Sequence, residues 1–275
     1  MSATAALTTT ADPTAGLAMF ADSITIKFGG LVAVNNVSFS IPERSVVSLI
    51  GPNGAGKTTF FNVLTGLYRP TSGHVLLGER DVTGMAPHLI AGLGLARTFQ
   101  NIRLFNLMTA EENVMVAMHS HLNSGLLSTV FGMPWQRKEE REARDFAREL
   151  LDFVGIGGTA DDYARNLSYG DQRRLEIARA LALRPKVLLL DEPTAGMNPQ
   201  ESARFVDFVL RVRTERDLSV LLIEHDMSVV MRLSERITVL DQGVKIAEGG
   251  PDDIRNNQRV VEAYLGKSGA EGAAL

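Results

Sequence analysis

Apolar residues along this chain come in short solid runs set between polar turns, and three of those runs set the architecture. Residues 46–50, Val-Val-Ser-Leu-Ile, are apolar at all but one position and lead straight into Gly51-Pro52. A run that short reads as a strand rather than a helix, and a strand without polar alternation is covered on both faces, as in a parallel sheet. Residues 187–190, Val-Leu-Leu-Leu, have the same character between Pro185 and Pro193, and residues 219–223 form the third run. Further β signals lie at 24–28, 37–41, 73–78 and 237–247, the last turning at Asp241-Gln242-Gly243, while 95–100 reads as a strand ending on Gln100. Helix signals fill much of the rest. A helix is expected over 58–67, and Thr109 with Glu112 three positions on forms a capping-box signal for another over 109–119. Residues 136–154 alternate charges with an apolar stripe of Ala143, Phe146, Ala147, Leu150 and Leu151. Residues 172–183 put Leu175, Ile177, Ala178 and Leu181 on an apolar face, with Arg173, Arg174 and Arg179 largely elsewhere. The Gly- and Ser-rich stretch 123–134 reads as a loop, and no internal repeat is visible. The fold class is α/β.

Chemistry collects at the ends of the three buried runs. Gly51-Pro52-Asn53-Gly54-Ala55-Gly56-Lys57-Thr58 matches G-x-x-x-x-G-K-[ST] between a strand and a helix. Its glycines let the backbone turn tightly and aim N–H groups at phosphate oxygens, and the helix beyond presents its positive end to the same anion. Lys57 can reach β- and γ-phosphates, the Thr58 hydroxyl can ligate Mg²⁺, and Thr59 adds a donor at the α-phosphate. On its own this loop leaves kinases, GTPases, helicases and motors open. The run 187–190 delivers Asp191 and Glu192 to a strand's C-terminal end, where open α/β sheets bind ligands. Two carboxylates there can divide the work, Asp191 holding a metal through water and Glu192 polarising an attacking water; the plainer alternative is a solvated acidic turn. His225 follows the third run within Glu224-His225-Asp226, which suits a γ-phosphate contact, although a histidine in a loop is otherwise an ordinary surface residue. Leu167-Ser168-Tyr169-Gly170-Asp171 opens the helix at 172–183; a Ser and a Gly there make an anion site, or only a Ser N-cap.

Composition narrows the class further. With 275 residues, 45% hydrophobic and 22% charged, the chain can bury a large core as one domain with a subdomain. A formal net charge of −4 argues against a nucleic-acid surface, because binding a phosphate backbone needs a basic patch. The absence of cysteine excludes disulfides and thiolate metal sites. No apolar run approaches the roughly 18 residues of a membrane span. The first twenty or so residues, rich in Ala and Thr without a basic or sustained apolar region, are expected to be a disordered tail rather than a signal peptide.

Taken in order and at these spacings, the loop at 51–58, Leu167 to Asp171 and Val187 to Glu192 resemble the nucleotide-binding subunit of an ATP-binding cassette (ABC) transporter, from about residue 24 to 265. The stretch from Leu167 to Leu181 is similar to the signature motif of that family. The resemblance implies a P-loop NTPase core with an antiparallel β subdomain and a helical subdomain, ATP and Mg²⁺ as ligands, and Ser168 and Gly170 binding the γ-phosphate of ATP held by a second subunit. It further implies that Phe28 stacks on adenine, with a core Phe on an antiparallel strand as the alternative, and that Gln100 is the Q-loop glutamine joining the metal site to the transporter contact. Catalytic roles fall to Glu192, His225, Gln100 and Lys57, and metal contacts to Thr58, Gln100 and Asp191. The expected organisation is a tail at 1–21, an ATP-binding domain at 22–266 with its helical subdomain at about 101–166, and a tail at 267–275. Implied partners are two transmembrane permease subunits, a second ATPase subunit identical or related, and indirectly a solute-binding protein, at the cytoplasmic face of the inner membrane. Residues 96–113, the Arg-Arg-Leu-Glu-Ile-Ala-Arg run, the D-loop Ala195-Gly196-Met197-Asn198 and the ending Ala263-Tyr264-Leu265-Gly266 look like the ATPases of branched-chain amino-acid importers. In that light Asn198, where many relatives have Asp, is a subfamily trait. The nearest competitors are ATPases of urea or amide importers and of lipopolysaccharide export. A non-transport ABC ATPase would commonly carry two cassettes or long coiled coils, and a small-molecule P-loop kinase has no use for the signature motif.

Overall fold

The computed structural model describes residues 15–118 and 134–265. Two sheets organise them. The first is antiparallel, in the order β2-β1-β4-β5, built from β1 (Leu17–Phe28), β2 (Leu31–Pro42), β4 (Ser72–Leu77) and the short β5 (Arg80–Asp81). The second runs β10-β9-β3-β8-β7-β6 and comprises β3 (Val46–Ile50), β6 (Leu95–Arg97), β7 (Val187–Asp191), β8 (Ser219–Ile223), β9 (Arg236–Asp241) and β10 (Val244–Gly249). All of its neighbours pair in parallel except the β9–β10 hairpin.

The three solid apolar runs are the centre of this sheet, and every residue of β3, β7 and β8 is buried. Strand alternation splits them between two cores. Leu188, Leu190, Val220 and Leu222 face the helices, whereas Val187, Leu189, Leu221 and Ile223 face α1 (Lys57–Leu64) and the antiparallel sheet. Each such side chain contributes roughly 2 kcal/mol by leaving water, and the polar residue inside β3, Ser48, is buried with its hydroxyl paired to that of Ser234 at 2.5 Å.

The helical region contains α3 (Ala110–Met118) and α4 (Pro134–Phe153), which pack with α5 (Tyr169–Ala182); the six-residue α2 (Pro87–Gly92) precedes β6. The Thr109–Glu112 capping box forms reciprocally at 2.8 and 3.1 Å, and Ala143, Ala147, Leu150 and Leu151 are all buried as the stripe implied. Beyond β7 come α6 (Pro199–Glu215), α7 (Met227–Leu233), α8 (Pro251–Arg255) and α9 (Gln258–Leu265).

Some boundaries differ from the sequence reading for identifiable reasons. Strand β1 begins at Leu17, inside the segment expected to be tail, because Met19 and Ala21 enter the core beside β2 and β4. The Ala/Thr-rich average of the region hides that short alternation. The signature helix starts at Tyr169 rather than 172, since Ser168 caps it. Arg173, expected off the apolar face, is only 1% exposed. The strand ending at Arg97 stops before Gln100, and Pro134 opens α4 instead of closing a loop. The rest of that loop, residues 123–133, and most of both expected tails lie outside the described residues.

Candidate active site

Parallel pairing decides what meets what. Asp191 pairs with Ile223, and Ile223 with Leu49, so the chain leaves β7, β8 and β3 at one edge of the sheet. That edge therefore gathers Asp191-Glu192, Glu224-His225 and the loop from Gly51 to Lys57.

The loop is shaped by glycine where nothing larger fits. A Cβ on Gly51 would stand 2.1 Å from the Leu240 carbonyl oxygen, and one on Gly56, at φ +95°, would stand 2.6 Å from that of Ala33. Ala55 donates to the Pro52 carbonyl at 3.2 Å to close the turn, leaving Asn53 and Gly54 exposed. Helix α1 begins with no side-chain cap and no acidic residue in its first turn, so its N–H groups and positive end are available to an anion. Lys57 folds over the loop and donates to the carbonyls of Gly51 at 2.6 Å and Pro52 at 3.0 Å. Burial holds its pKa below the usual lysine value, partly offset by the nearby negative charge of Glu192. Thr58 is exposed and Thr59 half-buried on the same turn. The hydroxyl of Tyr264, on α9, faces the Gly51 backbone, and burial raises its pKa.

Glu192 adopts a left-handed backbone, φ +46°, unusual for a non-glycine residue, while its amide donates to the Ile223 carbonyl at 2.9 Å. Its Oε2 accepts the Gln100 side-chain amide at 2.9 Å and lies 4.0 Å from His225 Nδ1. Gln100, Glu192 and His225 thus form one cluster, with Lys57 near enough to feel its charge. Asp191 stands apart from that cluster. Its Oδ2 accepts Arg97 Nη2 at 3.0 Å, and burial raises its pKa against the opposing pull of Arg97. Arg97 also donates to Asn62 at 2.8 Å and packs on the ring of Phe61 at 4.4 Å.

Ser168 and Gly170 are not part of the cluster. They line a separate cavity of about 440 Å³ with Tyr169, Asp171, Met197 and Phe205, and no P-loop residue reaches it. Ser168 Oγ accepts the Asp171 amide at 3.2 Å and donates to the Asp171 carboxylate at 2.7 Å, so the N-cap is real; the anion reading needs a ligand brought from outside. Asn198 caps α6 through Gln200 and Glu201, each at 3.0 Å. Phe28 is 46% exposed and meets Tyr68 edge-on at 5.4 Å, which removes the core alternative and leaves an aromatic platform at the surface.

No group of three His, Cys, Asp or Glu side chains suited to a metal exists among the described residues. A hard divalent cation would depend on phosphate oxygens, with Thr58, Gln100 and Asp191 adding only an incomplete shell. That donor set suits Mg²⁺, which keeps several waters and is commonly held through substrate phosphates.

Several residues escaped the sequence reading. Glu224 is 1% exposed and accepts the Thr194 amide at 2.9 Å and that of His225 at 3.0 Å, tying the end of β8 to the turn after Glu192. A charge placed directly behind the apolar run Val220–Ile223 was its only signal. Arg97 and Tyr68 had none, since their partners are distant in sequence.

The family model for ABC transporters matches residues 34–195, and that for the branched-chain amino acid ATP-binding cassette transporter matches 244–270. The chain is 49% identical over 245 residues to the high-affinity branched-chain amino acid transport ATP-binding protein BraF of Pseudomonas aeruginosa, covering 89% of this chain and 96% of that one. It is 49% identical over 247 residues to the protein of the same description, LivG, from Salmonella typhimurium, covering 90% and 97%. The crystal structure of the ADP conformation of an ATP-binding cassette from an ABC transporter superposes with a TM-score of 0.79 at 31% identity, covering 91% of this chain and 99% of that one.

Proposed function

Because this chain belongs to the ABC transporter family of ATP-binding subunits, we propose that it hydrolyses ATP to drive an importer of branched-chain amino acids. The observation carrying the reading is the placement of the P-loop and the Gln100–Glu192–His225 cluster at one edge of one sheet. The match over residues 244–270 supports the choice of solute, since it lies outside the part shared by ABC ATPases generally.

Bound there, ATP lays its phosphates across the N–H groups of the loop and the start of α1. Lys57, held close by the loop carbonyls, supplies a cation to β- and γ-oxygens; Phe28 offers a ring face to adenine. Thr58 would hold Mg²⁺ directly, with Gln100 as a second ligand and Asp191 acting through water, and the ion would supply neutralisation of phosphate charge. Glu192 serves as the base, withdrawing a proton from the attacking water, while Gln100 fixes its carboxylate and His225 donates toward the γ-phosphate. Stabilisation of this kind acts on charge developing in the transition state and so lowers the barrier rather than tightening ground-state binding.

Ser168 and Gly170 complete the site of a second subunit, a role supported by their separation from this chain's own P-loop. Two such chains, identical or related, close on ATP beneath two permease subunits. No helix among the described residues is long and apolar enough to cross a membrane; in this reading the permease subunits hold the chain at the cytoplasmic face. Purification of the tagged chain from detergent-solubilised membranes tests this. We expect polytopic membrane proteins and a second cassette to come with it, and ATP hydrolysis to rise with a branched-chain amino acid and its binding protein. Recovery of the chain alone, or with nucleic acid or ribosomes, would refute the reading.

A further inference from the structure

The segment 99–105 that carries Gln100 runs against one face of the signature helix α5, where three side chains spaced three residues apart fasten it. Arg173, 1% exposed, donates to the Phe99 carbonyl at 2.7 Å, to the Gln100 carbonyl at 3.1 Å and to Glu176 at 2.8 Å. Glu176, 5% exposed, accepts the Phe99 amide at 3.1 Å, and the Arg103 amide faces the same carboxylate. Further along, Arg179 donates to the Arg103 carbonyl, and its guanidinium lies 4.9 Å from the centre of the Phe105 ring. Asn113 of α3 grips the far end, accepting the Phe105 amide at 2.9 Å and donating to its carbonyl at 3.0 Å.

A buried ion pair is a poor way to gain stability. Its desolvation cost is large, and apolar side chains of similar volume often do as well or better. Here most of the pair's remaining hydrogen bonds go to the backbone of one segment, beside a 3.5 Å contact from Arg173 to the Tyr169 hydroxyl and an unpartnered Arg173 Nε, and this gives the segment a fixed position on the helix. Resting on the site roles proposed above, we infer that Arg173, Glu176 and Arg179 are positioning residues that join the 99–105 segment to the signature helix as one body, so that Gln100 in this chain's site and Ser168 at its partner's are displaced together. A push on the exposed side of the segment then reaches both composite sites at once, without passing through a hinge at Gln100.

The test compares Arg173→Met with the double variant Arg173→Met/Glu176→Met. The single change strands a buried carboxylate and should lower Tm; the double change removes both charges and should recover it. If the side chains position the segment, the recovered double variant still lacks the fastening. Its Phe99 and Arg103 amides should exchange hydrogen about tenfold faster or more than the parent's while Leu188 to Leu190 stay protected. In the purified transporter its kcat for Mg-ATP should fall about tenfold or more, with KM and ATP binding by the isolated chain within about twofold. Arg179→Met, at a half-buried position, should free Arg103 in the same way if the buried pair cannot be replaced. A double variant with parental Tm and parental kcat, or parental exchange of the segment, would overturn the inference, because the pair would then be mere core. ATP binding by the parent chain is scored separately and bears on the site roles alone.

Discussion

Glu192 is held at φ +46° between the buried strand β7 and the turn tied down by Glu224, a conformation that costs a β-carbon-bearing residue on the order of 1 kcal/mol. Hydrogen bonds from its own amide to Ile223 and from Gln100 to its carboxylate keep it there. Such over-determination suits a base that must meet a water in one geometry. Glu192→Gln keeps the size of the side chain and removes the basic oxygen. We therefore expect ATP affinity to be retained while turnover drops by on the order of 3 kcal/mol, about a hundredfold. Lys57→Ala, which removes a ground-state contact as well, should weaken both binding and turnover. Equilibrium ATP binding and single-turnover hydrolysis by the two variants separate these cases; a Gln variant hydrolysing at the parent's rate would reassign the base.

At the scale of elements, the first turns of the signature helix α5 do two jobs, and Arg173 borders both places. Arg173 and Glu176 point inward to the 99–105 segment, while Ser168 and Gly170 open on the cavity beside Met197 and Phe205. If that cavity receives the second subunit's ATP, Ser168→Glu should leave nucleotide binding by the isolated chain nearly intact, since the P-loop and Phe28 are untouched. It should abolish ATP-driven pairing, because a carboxylate replaces a donor at a polyphosphate. In a self-pairing preparation, mixing Ser168→Glu chains with Lys57→Ala chains puts both defects in one composite site and neither in the other. Partial recovery of hydrolysis in the mixture is the expected result; the sum of two independent losses would mean each chain works alone.

At the scale of the whole molecule, one group of exposed apolar side chains lies at the end of the 99–105 segment and in the residues and helix that follow it. Leu107 is 74% exposed, Phe105 44% and Val116 38%. Because this is more apolar surface than a free loop needs, we propose it as the permease contact. Phe105 is partly spent on Arg179, so Leu107 is the cleaner probe. Leu107→Asp should leave ATP binding and basal hydrolysis by the chain within about twofold and abolish ATP-driven uptake in reconstituted vesicles; unaltered uptake would move the contact elsewhere. Much of this architecture was legible in the sequence. Solid apolar runs, a G-x-x-x-x-G-K-[ST] loop and carboxylates at a strand's end are local patterns, and burial, phosphate binding and strand edges follow from local chemistry. Tertiary structure alone decided the partners of the buried charges. Arg97 meets Asp191 from 94 positions away, and Arg173 meets Phe99 from 74. On a helical wheel, Arg173 and Glu176 look like solvent-facing charges, because periodicity records how polar a side chain is but not what lies opposite it. The early start of β1 escaped for a related reason. A few alternating residues at 17–21 become a strand only when β2 and β4 offer them ladders on both sides.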